Sequence, residues 1–130
     1  MIVDTSAIVA ILREEPEARY FSTKLYMERP TRISAANYLE AGVVIDGGRD
    51  AVASARLDIV LDRLSVEIVP VTLSHAKLAR QAYRDFGKGS GHPAKLNFGD
   101  CFAYALATER GEPLLYKGDD FVHAGFERLV

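Results

Sequence analysis

Met1-Ile2-Val3-Asp4-Thr5-Ser6-Ala7 decides how the rest of the chain is read. Three apolar residues make a short strand of the kind that is buried on both faces. An acid then meets two hydroxyl residues, and all three favour helix starts, so Thr5 or Ser6 can cap a helix through Ala7–Leu12. Strand, carboxylate, helix is the pattern to look for downstream.

It recurs. Pro16 opens a helix from Glu17 to about Met27, which ends before Pro30. Thr31–Ser34 reads as a second strand, followed by a helix over Ala35–Ile45 that stops at Gly47-Gly48. Asp50–Leu64 is helical, with Val52, Ala55, Ile59, Val60 and Leu64 near a 3.6 period. Val66–Val71 is a strand whose end Pro70 confines to an edge or turn. Leu73–Phe86 is helical. Gly87, Gly89, Gly91 and Pro93 mark a flexible loop. Phe98–Arg110 is a helix capped by Gly111. Leu114–Tyr116 is a strand, and Phe126–Val130 a short final one. Alternating strands and helices predict an α/β fold: a mostly parallel sheet of four to five strands between helical layers, one domain over residues 1–130.

In open sheets of this kind ligands bind beyond the carboxyl ends of the strands. Asp4 follows the first strand. Glu40 lies in the helix after the second, among apolar Tyr38, Leu39, Val43 and Val44, where an unpaired acid is costly. Asp100 opens its helix, and Asp119 and Asp120 follow the last central strand. Carboxylates converging there repel one another unless a cation joins them, and oxygen ligands suit Mg²⁺ or Mn²⁺. Each acid taken singly has a local explanation as a cap or a solvated helix residue. The recurrence at equivalent places does not.

The composition is that of a folded domain: 130 residues, 48% of them hydrophobic. The net charge of −2 is unevenly spread, because residues 77–95 hold Lys77, Arg80, Arg84, Lys88 and Lys95 against Asp85. A basic segment on an acidic body suits a phosphate-contacting face beside a carboxylate site. Lys117 is a further candidate contact. Cys101 is the only cysteine, which excludes an internal disulfide and suggests a small core residue. His75, His92 and His123 have no metal-ligand spacing, which argues against zinc. No apolar run approaches a membrane span, and the first residues lack a signal peptide's basic region, so a cytoplasmic protein is expected.

Two blocks are specific. Asn97-Phe98-Gly99-Asp100-Cys101-Phe102-Ala103-Tyr104-Ala105-Leu106-Ala107 resembles the central signature of VapC-type PIN-domain toxins, and Pro113-Leu114-Leu115-Tyr116-Lys117-Gly118-Asp119-Asp120-Phe121 resembles that family's next block. The segments Met1–Ala7 and Ile33–Glu40 match in order, so the resemblance spans essentially the whole chain. It implies a three-layer α/β/α nuclease that cuts RNA with Mg²⁺, for which Mn²⁺ substitutes. It also implies a homodimer and a cognate VapB-type antitoxin that blocks the site, often through an arginine. By resemblance Asp4, Glu40 and Asp100 are the core ligands. Asp119 is favoured as the fourth acid, with Asp120 as the alternative, and Thr5 and Ser6 orient ligands. Many relatives carry Thr-Asp after the Phe; this chain has Val122-His123.

Other classes fit less well. Gly118-Asp119-Asp120 occurs in polymerase palm sites, but the chain is too short. An aspartyl-phosphate phosphatase wants a second Asp where Ser6 stands. A phospho-acceptor receiver domain shares the sheet, yet usually has two adjacent early acids where Asp4 stands alone. A non-catalytic module binding a partner through its acids has no need of all four.

Overall fold

The structure, a computed structural model, describes residues 1–129. Its centre is a four-stranded, wholly parallel sheet in the order β3-β2-β1-β4, made of β1 (Ile2–Val3), β2 (Thr31–Ser34), β3 (Val66–Val69) and β4 (Leu114–Leu115). Ile2 stands opposite Arg32 on one side and Leu114 on the other. From β1 the chain builds β2 and β3 to one side, then returns to place β4 on the other. The order therefore reverses between β1 and β4, and the crevice beyond their carboxyl ends is where a ligand is accommodated in such sheets.

Alternation along the strands divides the core. Val3, Ile33 and Leu115 face one way, into a cluster with Ile8 and Ile11 of α1 (Thr5–Leu12), Phe21 and Leu25 of α2 (Ala18–Met27), Ala41 and Ile45 of α3 (Ala35–Asp46), and Leu57 and Leu61 of α4 (Ala51–Arg63). Ile2, Leu114 and the following Tyr116 face the other way, onto Ala79 and Ala82 of α5 (Leu73–Phe86) and Ala103 and Leu106 of α6 (Phe98–Arg110). The result is the expected α/β/α layering. His75, buried near the start of α5, receives the amide of Thr72 on Nδ1. It therefore donates from Nε2 to Glu109 at 2.7 Å, clasping α5 to α6.

Helix boundaries follow local chemistry. Ser34 caps α3 through the amide of Ala36, Asp50 caps α4 through Val52 and Ala53, and α5 and α6 open on reciprocal boxes, Thr72 with His75 and Asn97 with Asp100. Gly111, at φ 63°, closes α6 in the left-handed conformation that glycine adopts without penalty.

Several expectations are corrected. Asp4, not Thr5 or Ser6, caps α1, because its carboxylate reaches back to the Ser6 amide. β3 stops at Val69, before Pro70, which has no N–H for a ladder. Residues 126–129 form no strand; the Phe126 amide bonds to Phe121 O at 2.9 Å, and the Phe126 ring packs edge-on to Tyr104 and Phe121. Val130, the end of that expected strand, lies outside the described residues. A short α7 (Asp120–His123) follows β4. The glycine-rich loop is closed at its base, since Lys88 N bonds to Leu96 O and Leu96 N to Phe86 O. Among the described residues no helix is long and apolar enough to cross a membrane.

Candidate active site

Asp4 leaves β1 at the switch point and is almost wholly buried. Its Oδ2 accepts from the Ser6 amide at 2.9 Å and the Ser6 hydroxyl at 2.6 Å, whereas Oδ1 is buried with no partner among the described residues. Ser6 Oγ in turn accepts from the Lys117 amide at 2.9 Å, and the Asp4 amide donates to Leu115 O at 2.9 Å. The segments leaving β1 and β4 are thereby tied together beneath the carboxylate. Burial, outweighing the Ser6 hydrogen bonds, pushes the Asp4 carboxyl up from 3.8 to about 6, with a further push from the charge of Glu40.

Asp100 is the third helical residue of α6. Its Oδ2 accepts from the Asn97 amide at 3.0 Å while Asn97 Oδ1 accepts from the Asp100 amide at 2.8 Å. Burial first, then the charge of Asp4, pushes its carboxyl up to about 7; the Asn97 amide opposes this, and Asp120 and Glu40 add to it. The carboxylates of Asp4, Glu40, Asp100 and Asp120 thus share one electrostatic neighbourhood.

Glu40 reaches that neighbourhood across Gly99. A Cβ on Gly99 would overlap the Glu40 carboxylate, so that carboxylate can lie against α6 only because the side chain is missing. Asn37, fully buried one turn before Glu40, directs the junction. Its Nδ2 donates to Gly99 O at 2.9 Å and Thr5 Oγ1 at 3.2 Å, with a longer contact of 3.5 Å to Glu40 Oε1; Thr5 Oγ1 donates to Asn37 O at 3.2 Å. Asn37 and Gly99 set where the Glu40 carboxylate lies, which reading for acids did not find. The available signals were an amide inside the apolar run Ala35–Ile45 and a glycine inside a helix. The apolarity around Glu40, read as burial, has another meaning, since Leu39 and Val43 are each 65% exposed.

The two candidate fourth acids diverge. Asp119 is exposed and paired with Arg128, whereas Asp120 acts on Asp100. Lys117 turns from the crevice: its ammonium lies 2.5 Å from Glu15 and 3.1 Å from Glu17, which hold its pKa above the ordinary value. Lys77, Arg80, Arg84, Lys88 and Lys95 are exposed on α5 and its following loop. Cys101 is buried, with Sγ 3.2 Å from Asn97 O; burial and the Asp100 charge raise its thiol to about 11.

The donor set, carboxylate oxygens with one buried and unpartnered, fits a hard divalent cation. Among the described residues no three His, Cys, Asp or Glu side chains stand close enough to share an ion as they are placed. Asp4 and Asp100 each commit one oxygen to a backbone amide.

A parallel sheet whose switch point is ringed by acids defines a class of α/β protein by fold and site together. The PIN domain family model matches residues 1–127, and the chain belongs to that family, in its VapC-type branch. It is 56% identical over 130 residues to ribonuclease VapC28 of Mycobacterium tuberculosis, covering 100% of this chain and 98% of the relative. Ribonuclease VapC42 of the same organism is 46% identical over 123 residues, 95% of this chain and 94% of the relative. The fold is similar to the crystal structure of M. tuberculosis VapC20, described as a sarcin-ricin loop cleaving toxin, with a TM-score of 0.75 at 20% identity over 98% of this chain and 97% of that one. A toxin–antitoxin complex from Klebsiella pneumoniae gives 0.68 at 19% identity, covering 92% and 88%.

Proposed function

We propose that this protein is a Mg²⁺-dependent endoribonuclease, the toxin of a toxin–antitoxin pair, which hydrolyses RNA phosphodiester bonds at a four-carboxylate site. The observation that carries the reading is the buried Asp4 carboxylate at the end of β1, one oxygen unpartnered, in the field of Glu40 and Asp100. Full-length similarity to chains named ribonucleases supports the substrate class. Asp4, Glu40 and Asp100 would hold the cation. Asp120 is the better fourth acid, because Asp119 is turned to Arg128 while the charge of Asp120 reaches Asp100. A bound Mg²⁺ would supply a nucleophilic water at neutral pH and offset the charge that develops on the phosphate.

The chain's own residues do the positioning. Ser6 fixes one oxygen of Asp4 and leaves the other free; Asn37 ties the helix of Glu40 to that of Asp100; Gly99 lets the Glu40 carboxylate pass. The cations of α5 stand outside the acids, where they can hold a polyanion without competing for the metal. A second copy of the chain and a VapB-type antitoxin are the partners this reading implies, and the exposed Leu39 and Val43 of α3 offer apolar surface for such contacts.

The test is incubation of purified protein with total RNA, with and without Mg²⁺, and sequencing of the new ends. Discrete ends that need the metal, vanish in EDTA and return with Mn²⁺ are expected. Robust cutting in EDTA by a contamination-free preparation overturns the mechanism.

A further inference from the structure

Beside the acids, on the flank of α6 that faces α5, is a groove of about 330 Å³ lined by Ala76, Arg80, Tyr83, Phe98 and Phe102, almost entirely through carbon. Its volume is at the lower end of small-ligand sites, which begin near ~300 Å³. Phe98 is 78% exposed, more than any other large apolar side chain among the described residues, and Tyr83 is 48% exposed. Neither ring is loose. Phe98 is the first residue of α6, anchored between the two partners of the Asn97–Asp100 box, and meets Phe102 edge-on at 5.0 Å. Tyr83 covers Gly87, where a Cβ would overlap its ring and carbonyl, and its hydroxyl donates to Lys88 O at 3.1 Å. These are aromatic faces held out to solvent at little further entropic cost on binding.

We infer that this groove is a base-stacking subsite, in which an unpaired nucleobase next to the phosphate held at the carboxylates lies against Phe98 and Tyr83 while Arg80 meets the strand's phosphate. The inference rests on the ribonuclease reading and adds to it a place where one unpaired base is held. Phe98 and Asp100 both belong to the first turn of α6, on different sides of it. A strand crossing the N-terminal end of α6 can therefore meet both. Lys77 and Arg84 share the exposed face of α5 with Arg80 by their i, i+3, i+7 spacing, so the apolar groove is bordered by charge complementary to RNA. In a duplex both faces of a base are taken by its neighbours, and only single-stranded or splayed bases are free to stack on a side chain.

The test compares two labelled probes in EDTA, a single-stranded RNA oligonucleotide and an abasic ribose-phosphate strand of the same length. Loss of one stacked base costs roughly 1–3 kcal/mol, which is about 5- to 140-fold in affinity. Phe98→Ala is expected to weaken the base-bearing probe by that factor and leave the abasic probe unchanged, Phe98→Tyr to restore binding, and Arg80→Ala to weaken both probes. Because Phe98 is exposed, its removal should leave the melting temperature near the wild type's. Equal losses on both probes, or none, overturn the subsite. So does Phe98→Ala protein that binds RNA normally but changes its sedimentation, which would make the groove a protein contact. If the wild type neither binds nor cuts RNA, the ribonuclease reading falls and this inference with it; if it does both while Phe98→Ala matches it on each probe, only the subsite falls.

Discussion

Asp4→Asn should make the metal-free protein less sensitive to pH, and more stable in mild alkali, while destroying its activity. In the folded state the Asp4 carboxyl titrates at about 6, against an ordinary 3.8. A displacement of about two pH units corresponds to about 3 kcal/mol. Its sign follows from proton counting. Between pH 3.8 and about 6 the folded state holds a proton that the unfolded state has released. Stability is therefore greatest below the unfolded value and is lost as pH rises through the folded one. Asp100, displaced the same way to about 7, extends the decline upward, but it is partly exposed and coupled to Asp4, so the two effects do not add. Thermal melts in EDTA at about pH 4.5, 6 and 8 measure the slope; at roughly 4 °C per kcal/mol, the wild type should fall by about 10 °C more than Asp4→Asn across that range. Comparing slopes cancels whatever the new amide costs at a fixed pH. Adding Mg²⁺ at about pH 8 should raise the wild-type melting temperature and leave the mutant's nearly unchanged, since only the wild type retains the charged ligand. Parallel pH profiles for the two proteins would refute the buried, frustrated carboxylate, and equal stabilisation of both by Mg²⁺ would place the ion elsewhere.

Gly99→Ala places a methyl group where the Glu40 carboxylate lies. Cleavage should drop ~100-fold or more, the scale on which loss of a key electrostatic group is felt, with little change in melting temperature, because a flexible side chain can move aside; near-normal turnover would remove Glu40 from the site. Between Asp119→Asn and Asp120→Asn, the second should lose more cleavage activity, and the reverse order would make Asp119 the ligand once Arg128 lets go. Cys101, with its thiol near 11 and its side chain buried, should resist a thiol reagent at about pH 8 until the protein unfolds; native-state labelling at the rate of a free cysteine contradicts that environment.

The elements that were legible in the sequence are those whose ends are written locally. Thr31–Ser34, Leu73–Phe86 and Phe98–Arg110 have the bounds expected of them, because Pro30, Gly87, Gly111 and the capping residues act within a turn of where they stand. The acids were legible for the same reason, each following a strand or opening a helix. What could not be read is which way a side chain turns once it is there. Asp119 and Asp120 are equivalent as letters, and the difference between them is Arg128, which engages one and not the other. Lys117 looks like an RNA contact until the fold brings Glu15 and Glu17 to it from a hundred residues away. Asn37 looks like a misplaced amide in an apolar helix until Thr5 and Gly99 arrive as its partners from two other helices. In each case position is a local property and partnership is not. A buried polar group must find a partner, so the unmet hydrogen-bonding capacity of Asp4 Oδ1, which no neighbour among the described residues satisfies, is the feature of this site that most directly asks for something the polypeptide does not itself provide.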